Sequence, residues 1–276
     1  MAWLESFRDQ VVVVTGASSG IGRATAVAFG AAGARVALVA RRRAELERVA
    51  AEIAEAGGRA HVVAADVTER AQVEACFEAI TRECGPIDVV VNNAGVLRPA
   101  PVTELAAQDL EAMLRVNLFG ALFVMQAALP RMEARRTGTI VNVASLAGRR
   151  GVTPLGGYCA TKFALVGLTE ALRTELDDSG VHVALVLPGV VETPMAEAID
   201  QDPEFRDLWP AALNMPPSWV VWAIFAAVRF RLIEVSVPPG AATLEKLAAL
   251  APGVADTVVR WARSMSRWVA GATTGG

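Results

Sequence analysis

The only tyrosine of this 276-residue chain, Tyr158, stands four positions before Lys162. On a helix, side chains four residues apart share one face and lie roughly 6 Å from each other. A free phenol has a pKa of about 10, and a fixed cation close to it favours the phenolate, so such a tyrosine could exchange protons near neutral pH. The spacing predicts an acid/base pair. For an isolated pair of this kind, the alternative is a core tyrosine beside a solvated lysine.

Three glycines form a second candidate site between a short β-branched run and a segment of helical period. Gly16, Gly20 and Gly22 lie in the run Thr-Gly-Ala-Ser-Ser-Gly-Ile-Gly at residues 15–22. Glycines permit a tight turn and the close approach of backbone to a ligand, and the N-terminus of a helix presents free N–H groups to phosphate. The spacing differs from the G-x-G-x-x-G dinucleotide fingerprint. The order of strand, loop and helix nevertheless favours a nucleotide site over a plain turn.

Short β-branched runs alternate with longer runs of helical period, which is the pattern of βαβ units and a parallel sheet. Strands are predicted at 11–15, 35–40, 60–65, 87–91, 138–143, 181–187 and 233–237, and helices at 20–32, 43–57, 69–84, 108–134 and 157–178. Right-handed crossovers between them would build a doubly wound, Rossmann-type α/β sheet of about seven strands, with helices on both faces and a C-terminal helical extension. The ligand crevice of such a sheet lies beyond the carboxyl ends of the strands.

The chain is expected to form one domain over residues 1–276. Its parts would be a nucleotide-binding core at about 8–240, substrate-covering helices at 195–230 and the helical extension at 241–276.

Composition argues against several classes of function. The net charge of −3 offers no chain-wide basic field for nucleic acid. The three cysteines form no C-x-x-C pair and the two histidines lack ligand neighbours, so no metal site is expected. The same use of cysteine predicts a reducing, cytoplasmic location. The N-terminal residues lack the pattern of a signal peptide. The longest apolar runs, at 118–129 and 219–228, fall short of the roughly 20 residues that span a bilayer, so no transmembrane helix is expected.

Taken in order, the motifs resemble those of the short-chain dehydrogenase/reductase family in its compact single-domain form. The resemblance covers about residues 8–240. It includes the glycine segment at 15–22, Asn-Asn-Ala-Gly at 92–95, Asn117, Ser145, Tyr158 with Lys162, and Pro188 with Gly189. Ser145 lies thirteen residues before Tyr158, as the family pattern requires. Each motif is short, but their order and spacing together are highly specific.

The resemblance implies catalytic roles for four residues. Tyr158 would give a proton to the substrate oxygen or take one from it. Lys162 would lower the pKa of Tyr158 and hydrogen-bond the nicotinamide ribose. Ser145 would donate a hydrogen bond to the substrate oxygen as negative charge develops there, and Asn117 would hold a water of a proton relay that runs past Lys162. Ser145 and Tyr158 would therefore bind substrate directly.

The resemblance also implies a set of cofactor contacts. Asp66 would bind the adenine amino group, with the Val67 backbone beside it. Asn92 would lie near the adenosine ribose and help to stabilise the central strands, and Thr193 would bind the nicotinamide carboxamide. The complete set is Gly16, Ser18, Ser19, Gly20, Ile21, Gly22, Arg41, Asp66, Val67, Asn92, Ala94, Gly95, Tyr158, Lys162, Pro188, Gly189, Val191 and Thr193.

The end of the second strand indicates which dinucleotide is preferred. NAD-preferring members of the family carry an aspartate at the position of Ala40, where a carboxylate binds the ribose 2′-hydroxyl. Arg41 follows, and a guanidinium matches a 2′-phosphate bidentately. NADP(H) is therefore favoured over NAD(H). The alternative is that the three arginines are a solvated start to the next helix, a reading that fits Arg43 best and can extend to Arg42.

The C-terminal third leaves the shared pattern and is expected to cover the substrate. Residues 195–213, with Phe205, Leu208 and Trp209, would form a helical cover over an apolar pocket. Trp219 and Trp222 would pack against the sheet.

The last segment combines an apolar stripe with a basic one. Val254, Val258, Trp261, Met265 and Trp268 recur at helical spacing, while Arg260, Arg263 and Arg267 fall on the other side. Such a helix would pack on its own domain or on another subunit, or would lie on a membrane surface.

Together, these residues predict an NADP(H)-dependent oxidoreductase that interconverts a carbonyl and a secondary alcohol on an apolar small molecule by hydride transfer. The alternatives are a peripheral membrane-associated reductase of lipid-like substrates, a non-catalytic nucleotide-binding sensor or scaffold, and an epimerase or dehydratase of the same fold. The intact set of Asn117, Ser145, Tyr158 and Lys162 argues against the sensor. A homodimer or homotetramer is expected, because the helices at 108–134 and 157–178 resemble those that pair subunits in the family.

Overall fold

The computed structural model describes residues 7–200 and 214–248, together with residues 250 and 253. In these residues, seven parallel strands form one sheet in the order β3-β2-β1-β4-β5-β6-β7. The strands are β1 Val11–Thr15, β2 Arg35–Ala40, β3 Arg59–Ala64, β4 Ile87–Asn92, β5 Gly138–Val143, β6 Val181–Pro188 and β7 Glu234–Val237. Each predicted strand is confirmed to within one residue at either end, because β-branched runs bounded by turn residues carry a strong local signal.

Helices connect the strands and cover both faces of the sheet. They are α1 Gly20–Ala31, α2 Arg43–Glu55, α3 Arg70–Cys84, α4 Ala107–Leu114, α5 Ala121–Arg135, α6 Gly156–Glu175, α7 Pro194–Asp200, α8 Pro217–Arg229 and α9 Ala241–Ala248, with a short 3₁₀ helix at Leu146–Gly148. The single helix predicted at 108–134 is wrong in one respect: a π-helical segment, Arg115–Gly120, separates α4 from α5. Such segments occur often at functional sites, and this one contains Asn117.

Valine-rich strands explain why the sheet is buried on both faces. All five residues of β1 are buried. On one face, residues of β1 and β4 pack with α1, α2 and α8, and the rings of Phe7, Phe29 and Phe225 meet with centroids 4.4 to 5.0 Å apart. On the other face, the sheet packs against α3 and α5. Helices on both faces are what a parallel sheet of continuous apolar strands requires.

The strand order places the site. β1 pairs with β2 on one side and with β4 on the other, so the direction of winding reverses between β1 and β4. The carboxyl ends of these two strands are joined by the Thr15 hydroxyl, whose oxygen accepts hydrogen bonds from the backbone N–H groups of Asn93 and Ala94, both at 3.0 Å. Crevices at such a reversal are where doubly wound sheets bind ligands.

One continuous helical run in the described part of the chain, Ala107–Arg135, is long and apolar enough to cross a membrane by length and composition alone. Its apolar residues have another explanation, because Val124, Met125 and Met132 are buried in the core beside α3 and the sheet. A core helix of this kind has the same composition as a membrane span.

The prediction that Trp219 and Trp222 pack against the sheet is wrong. Their exposed fractions are 49% and 53%. The face of α8 that meets the sheet carries Val220, Ile224 and Phe225 instead, and the two tryptophans fall on the opposite side of that helix. The predicted cover residues Phe205, Leu208 and Trp209 and the terminal stripe from Val254 to Trp268 lie outside the described residues.

Candidate active site

A cleft of about 560 Å³ lies beyond the carboxyl ends of the central strands. Seventeen of the predicted site residues line it, namely Gly16, Ser18, Ser19, Gly20, Ile21, Arg41, Asp66, Val67, Ala94, Gly95, Ser145, Tyr158, Lys162, Pro188, Gly189, Val191 and Thr193. The other three, Gly22, Asn92 and Asn117, are absent from its lining. Gly22 and Asn117 contact lining residues, and Asn92 contacts Ala121 behind the cleft. The fold therefore brings together at one site motifs that are far apart in the sequence.

The glycine loop fits a dinucleotide phosphate. Gly16 and Gly20 have φ values of +66° and +54°, a region that glycine adopts at little cost. A Cβ on Gly22 would stand 2.2 Å from the carbonyl oxygen of Gly16, so only glycine allows the loop to close onto α1. Because α1 begins at Gly20 with no acidic side chain in its first turn, its N-terminal N–H groups suit an anion.

Asn92 stabilises the core behind the cleft. Its amide nitrogen donates to the carbonyl oxygen of Ala121 at 2.9 Å and to Oδ1 of Asn142 at 3.2 Å. Asn142 in turn donates to Thr169 on α6 at 2.9 Å. The neighbouring Asn93 lines the cleft, and it was not among the predicted site residues. The paired asparagines were its only sequence signal.

Asn117 links a loop of the cleft to the helix that carries Tyr158. Its Oδ1 accepts from the backbone N–H of Val96 at 2.8 Å, and its Nδ2 donates to the carbonyl oxygen of Val96 and to the hydroxyl of Thr161. The side chain is 1% exposed, and a buried amide needs such partners. Both amide hydrogens are thus used within the protein, so the predicted relay water would bond to the backbone of Asn117 or to the remaining lone pair of Oδ1.

Ser145, Tyr158 and Lys162 converge at the centre of the cleft. The Ser145 hydroxyl lies beside the Tyr158 phenol, and it donates a hydrogen bond to the carbonyl oxygen of Pro188 at 3.3 Å. The Lys162 ammonium donates to the carbonyl oxygen of Val143 at 3.0 Å and lies 5.6 Å from the centroid of the Tyr158 ring. The predicted acid/base pair therefore shares one helix face, with a hydroxyl beside it.

Burial dominates the electrostatics of this pair. It raises the pKa of Tyr158 to about 12, although the Ser145 hydroxyl beside the phenol acts to lower that pKa. Burial also lowers the pKa of Lys162 to about 8. In both cases the cause is the removal of the group from water, which costs its charged form solvation. The lowering of the Tyr158 pKa by Lys162, which the family resemblance implies, stays a prediction.

The end of β2 presents two arginines to the cleft. Arg41 lies with its Nη1 3.8 Å from Oδ2 of Asp66, and Arg42 donates from Nη2 to the Ser18 hydroxyl at 3.2 Å. Arg42 is exposed and immediately precedes α2, as the alternative reading of the arginines expects, and it also lines the cleft. Ala40 leaves no carboxylate at the end of the strand.

The opposite end of the cleft is apolar. Its lining includes Leu97, Leu146, Val152, Leu155, Met195 and Ile199. Among the described residues of the lining, Lys162 is the only charged one near Tyr158, since Arg41, Arg42 and Asp66 lie at the glycine-loop end. The sequence analysis missed these apolar residues because they come from connecting segments with no motif of their own.

Comparisons with known proteins agree with this geometry. A family model described as short chain dehydrogenase matches residues 10–204. The sorbitol dehydrogenase of Cereibacter sphaeroides is 38% identical over 192 residues, which are 69% of this chain and 74% of that enzyme. The D-threitol dehydrogenase of Mycolicibacterium smegmatis is 40% identical over 186 residues, which are 67% of this chain and 72% of that enzyme.

Solved structures show the same fold. An actinorhodin polyketide ketoreductase variant with NADPH is 33% identical, with a TM-score of 0.79 over 84% of this chain and 97% of the ketoreductase. A short chain dehydrogenase/reductase from Burkholderia phymatum in complex with NAD is 28% identical, with a TM-score of 0.79 over 90% of this chain and 95% of its own. The chain therefore belongs to the short-chain dehydrogenase/reductase family, and it is an oxidoreductase that acts on CH–OH or C=O groups.

The close packing of the glycine loop leads to a first prediction. Gly22→Ala should weaken dinucleotide binding at least tenfold and lower the Tm, because its Cβ would collide with the backbone of Gly16. The matched control is Gly167→Ala on α6, where a Cβ meets nothing within 4 Å. Alanine is better than glycine inside a helix by about 0.5–1 kcal/mol, so the control should keep or raise the Tm. A fluorescence titration measures the dinucleotide affinity of each variant, and calorimetry measures its Tm. A native affinity in Gly22→Ala would contradict this assignment of the loop.

Proposed function

We propose that the protein is an NADP(H)-dependent oxidoreductase that interconverts a carbonyl and a secondary alcohol on an apolar small molecule. The observation that carries this proposal is the convergence of Ser145, Tyr158 and Lys162 between an arginine-lined end of the cleft and an apolar one. A non-catalytic sensor would not need the hydroxyl, phenol and ammonium to meet at one point. An epimerase or dehydratase finds no specific support in the cleft.

In this proposal the bound nicotinamide supplies or accepts the hydride. Ser145 releases the carbonyl oxygen of Pro188 and donates instead to the substrate oxygen, where negative charge develops during reduction. Tyr158 gives its proton to that oxygen as a general acid. Lys162, when protonated, stabilises the phenolate that remains.

The two arginines support the preference for NADP(H). The solved relatives do not decide the matter, since one contains NADPH and another NAD. Arg41, Arg42 and the Ser18 hydroxyl provide cationic and neutral donors at the end of β2, and Ala40 provides no carboxylate to bind a 2′-hydroxyl. This donor set suits a phosphate dianion.

A substitution that removes the positive charge of Arg41 tests the cofactor preference. Arg41→Gln should raise the Kd for NADPH at least tenfold and change the Kd for NADH less than about twofold, because only NADPH carries the extra phosphate. Arg43→Gln is the matched control, since Arg43 pairs with Glu47 on α2 and does not line the cleft. Both affinities are measured by quenching of tryptophan fluorescence. Equal Kd values for NADPH and NADH in the unmutated protein would refute the preference.

The role of Tyr158 is tested by removing its hydroxyl alone. Tyr158→Phe should lower kcat by about two orders of magnitude or more, the usual scale for the loss of a general acid. Binding of NADPH should persist, because the phenyl ring still fills its place. Steady-state kinetics and a fluorescence titration on the same sample separate the two effects. A variant with near-native kcat would exclude Tyr158 as the proton donor.

The apolar end of the cleft supports an uncharged, apolar substrate. The relatives named above are dehydrogenases of sorbitol and D-threitol, whose hydroxyl groups need several hydrogen-bond partners. Leu97, Val152, Leu155 and Ile199 provide none with their side chains.

A substrate screen tests the proposal of an apolar substrate. Aliphatic, aromatic and steroid-like ketones should be reduced with a higher kcat/KM than the ketoses that correspond to sorbitol and D-threitol, as followed by NADPH absorbance. The reverse order would overturn the assignment of an apolar substrate.

The remaining expectations are also part of this proposal. Phe119 and Phe163 are 46% and 44% exposed on the two helical regions expected to pair subunits, which supports a homodimer or homotetramer. A cytoplasmic location stays a prediction. The proposal of lipid-like substrates at a membrane depended on residues 254–268, outside the described part of the chain.

A further inference from the structure

Arg149 lies in a group of charged residues beside the active site. Its Nη2 donates to Oε1 of Glu170 at 2.6 Å and to Oε2 of Glu234 at 2.5 Å. The side chains of Arg149 and Glu234 are only 15% and 16% exposed. Oε1 of Glu234 also accepts from Lys246 of α9 at 2.7 Å. An arginine shared by two carboxylates and shielded from water is held in place more firmly than an exposed ion pair.

The partners of Arg149 come from elements that build the site. Glu170 is on α6, the helix that carries Tyr158 and Lys162, about 12 Å along the axis from Lys162. Glu234 begins β7, where it pairs with Leu185 of β6 three residues before Pro188. Arg149 therefore connects the segment after β5 to α6 and to β7.

That segment also carries Ser145. Ser145 caps the 3₁₀ helix Leu146–Gly148 by accepting from the N–H of Ala147 at 3.1 Å, and Arg149 ends that helix by donating its own N–H to Leu146 at 2.9 Å. A Cβ on Gly148 would stand 2.9 Å from the carbonyl oxygen of Lys162, so the turn packs directly onto the catalytic helix. Only three residues thus lie between Ser145 and Arg149, and the turn that they form is tight.

We propose that Arg149 is a positioning residue: by binding Glu170 and Glu234 it holds the 3₁₀ turn against α6 and keeps the Ser145 hydroxyl beside the Tyr158 phenol. Its effect on turnover rests on the proposed function, whereas its effect on the contact between Ser145 and Tyr158 does not. The charges support the arrangement. Burial alone would raise the pKa of Glu234, but the hydrogen bonds and charges of Lys246 and Arg149 outweigh it and lower that pKa, so Glu234 stays ionised opposite Arg149.

The single tyrosine of the chain gives a direct test. Tyrosine labelled with ¹³C at Cζ yields one protein resonance, from Tyr158, whose position reports hydrogen bonding of the phenol. Arg149→Met, which keeps the length of the side chain and removes its charge, should move this resonance in the same direction as Ser145→Ala does. Arg149→Lys should restore the native position, because Nη2 alone makes both ionic bonds and Nε has no partner among the described residues.

Two further variants separate positioning from general loss of stability. Arg135→Met removes a half-buried arginine that binds Asp88 and the carbonyl oxygen of Ile87 at the amino end of β4, away from the cleft. It should lower the Tm but leave the Tyr158 resonance in place. Glu234→Gln keeps the shape of the partner and weakens only its charge, so it provides a milder perturbation if Arg149→Met folds poorly. It should move the resonance part of the way.

Turnover is measured on the same proteins with the best ketone. Arg149→Met should lower kcat about ten- to a hundredfold with little change in KM, the size expected when a catalytic group is misplaced by about 1 Å. Arg149→Lys should recover kcat to within about threefold. In a Ser145→Ala background, Arg149→Met should have almost no further effect, because it acts through Ser145.

The outcomes distinguish the two proposals. A native Tyr158 resonance in folded Arg149→Met, or in Glu234→Gln if the first variant does not fold, would overturn the positioning role whatever the activity. A native kcat in Arg149→Met, or full additivity with Ser145→Ala, would overturn it as well. If the unmutated protein reduces no carbonyl compound, the proposed function fails, and the resonance still decides the role of Arg149.

Discussion

The reversal of winding between β1 and β4 is the constraint on which the rest of the site depends. Parallel strands on either side of that point send their connections to opposite faces, so a gap opens where their carboxyl ends lie side by side. The Thr15 hydroxyl holds this gap at a defined width by accepting from Asn93 and Ala94. The glycine loop follows β1 and the segment 93–97 follows β4, so both walls of the cofactor end begin at this contact.

Buried polar groups transmit that placement to the catalytic helix. Asn92 and Asn142 link β4 and β5 to α5 and α6, and Asn117 links the loop after β4 to Thr161. Each of these side chains has its hydrogen bonds satisfied inside the protein, so α6 is held at defined points and not by apolar packing alone. The desolvated Lys162 is the electrostatic consequence, because the same enclosure that aligns it with Tyr158 also lowers its pKa.

The differences between prediction and structure have physical causes. The local period of apolar residues predicts strands and helices well, but it does not show which face of α8 meets the sheet. For this reason the sequence did not predict that Trp219 and Trp222 lie on the outward face. Arg42 does stand at the start of α2, but the sequence does not show that its side chain also reaches Ser18. The π-helical segment at Arg115–Gly120 escaped detection because one displaced hydrogen bond leaves no sequence signal comparable to a proline or glycine.

By itself, the sequence determined the order of strands and helices and the identity of Tyr158, Lys162, Ser145 and the glycine loop. These features depend on residue type and on spacing along one element, and both can be read from neighbouring positions. Only the tertiary structure decided that Asn92 faces the core while Asn93 faces the cleft, that the substrate end is apolar, and that Arg149 meets Glu170 and Glu234. Those facts depend on contacts between residues distant in the chain, which arise only when separate elements pack together.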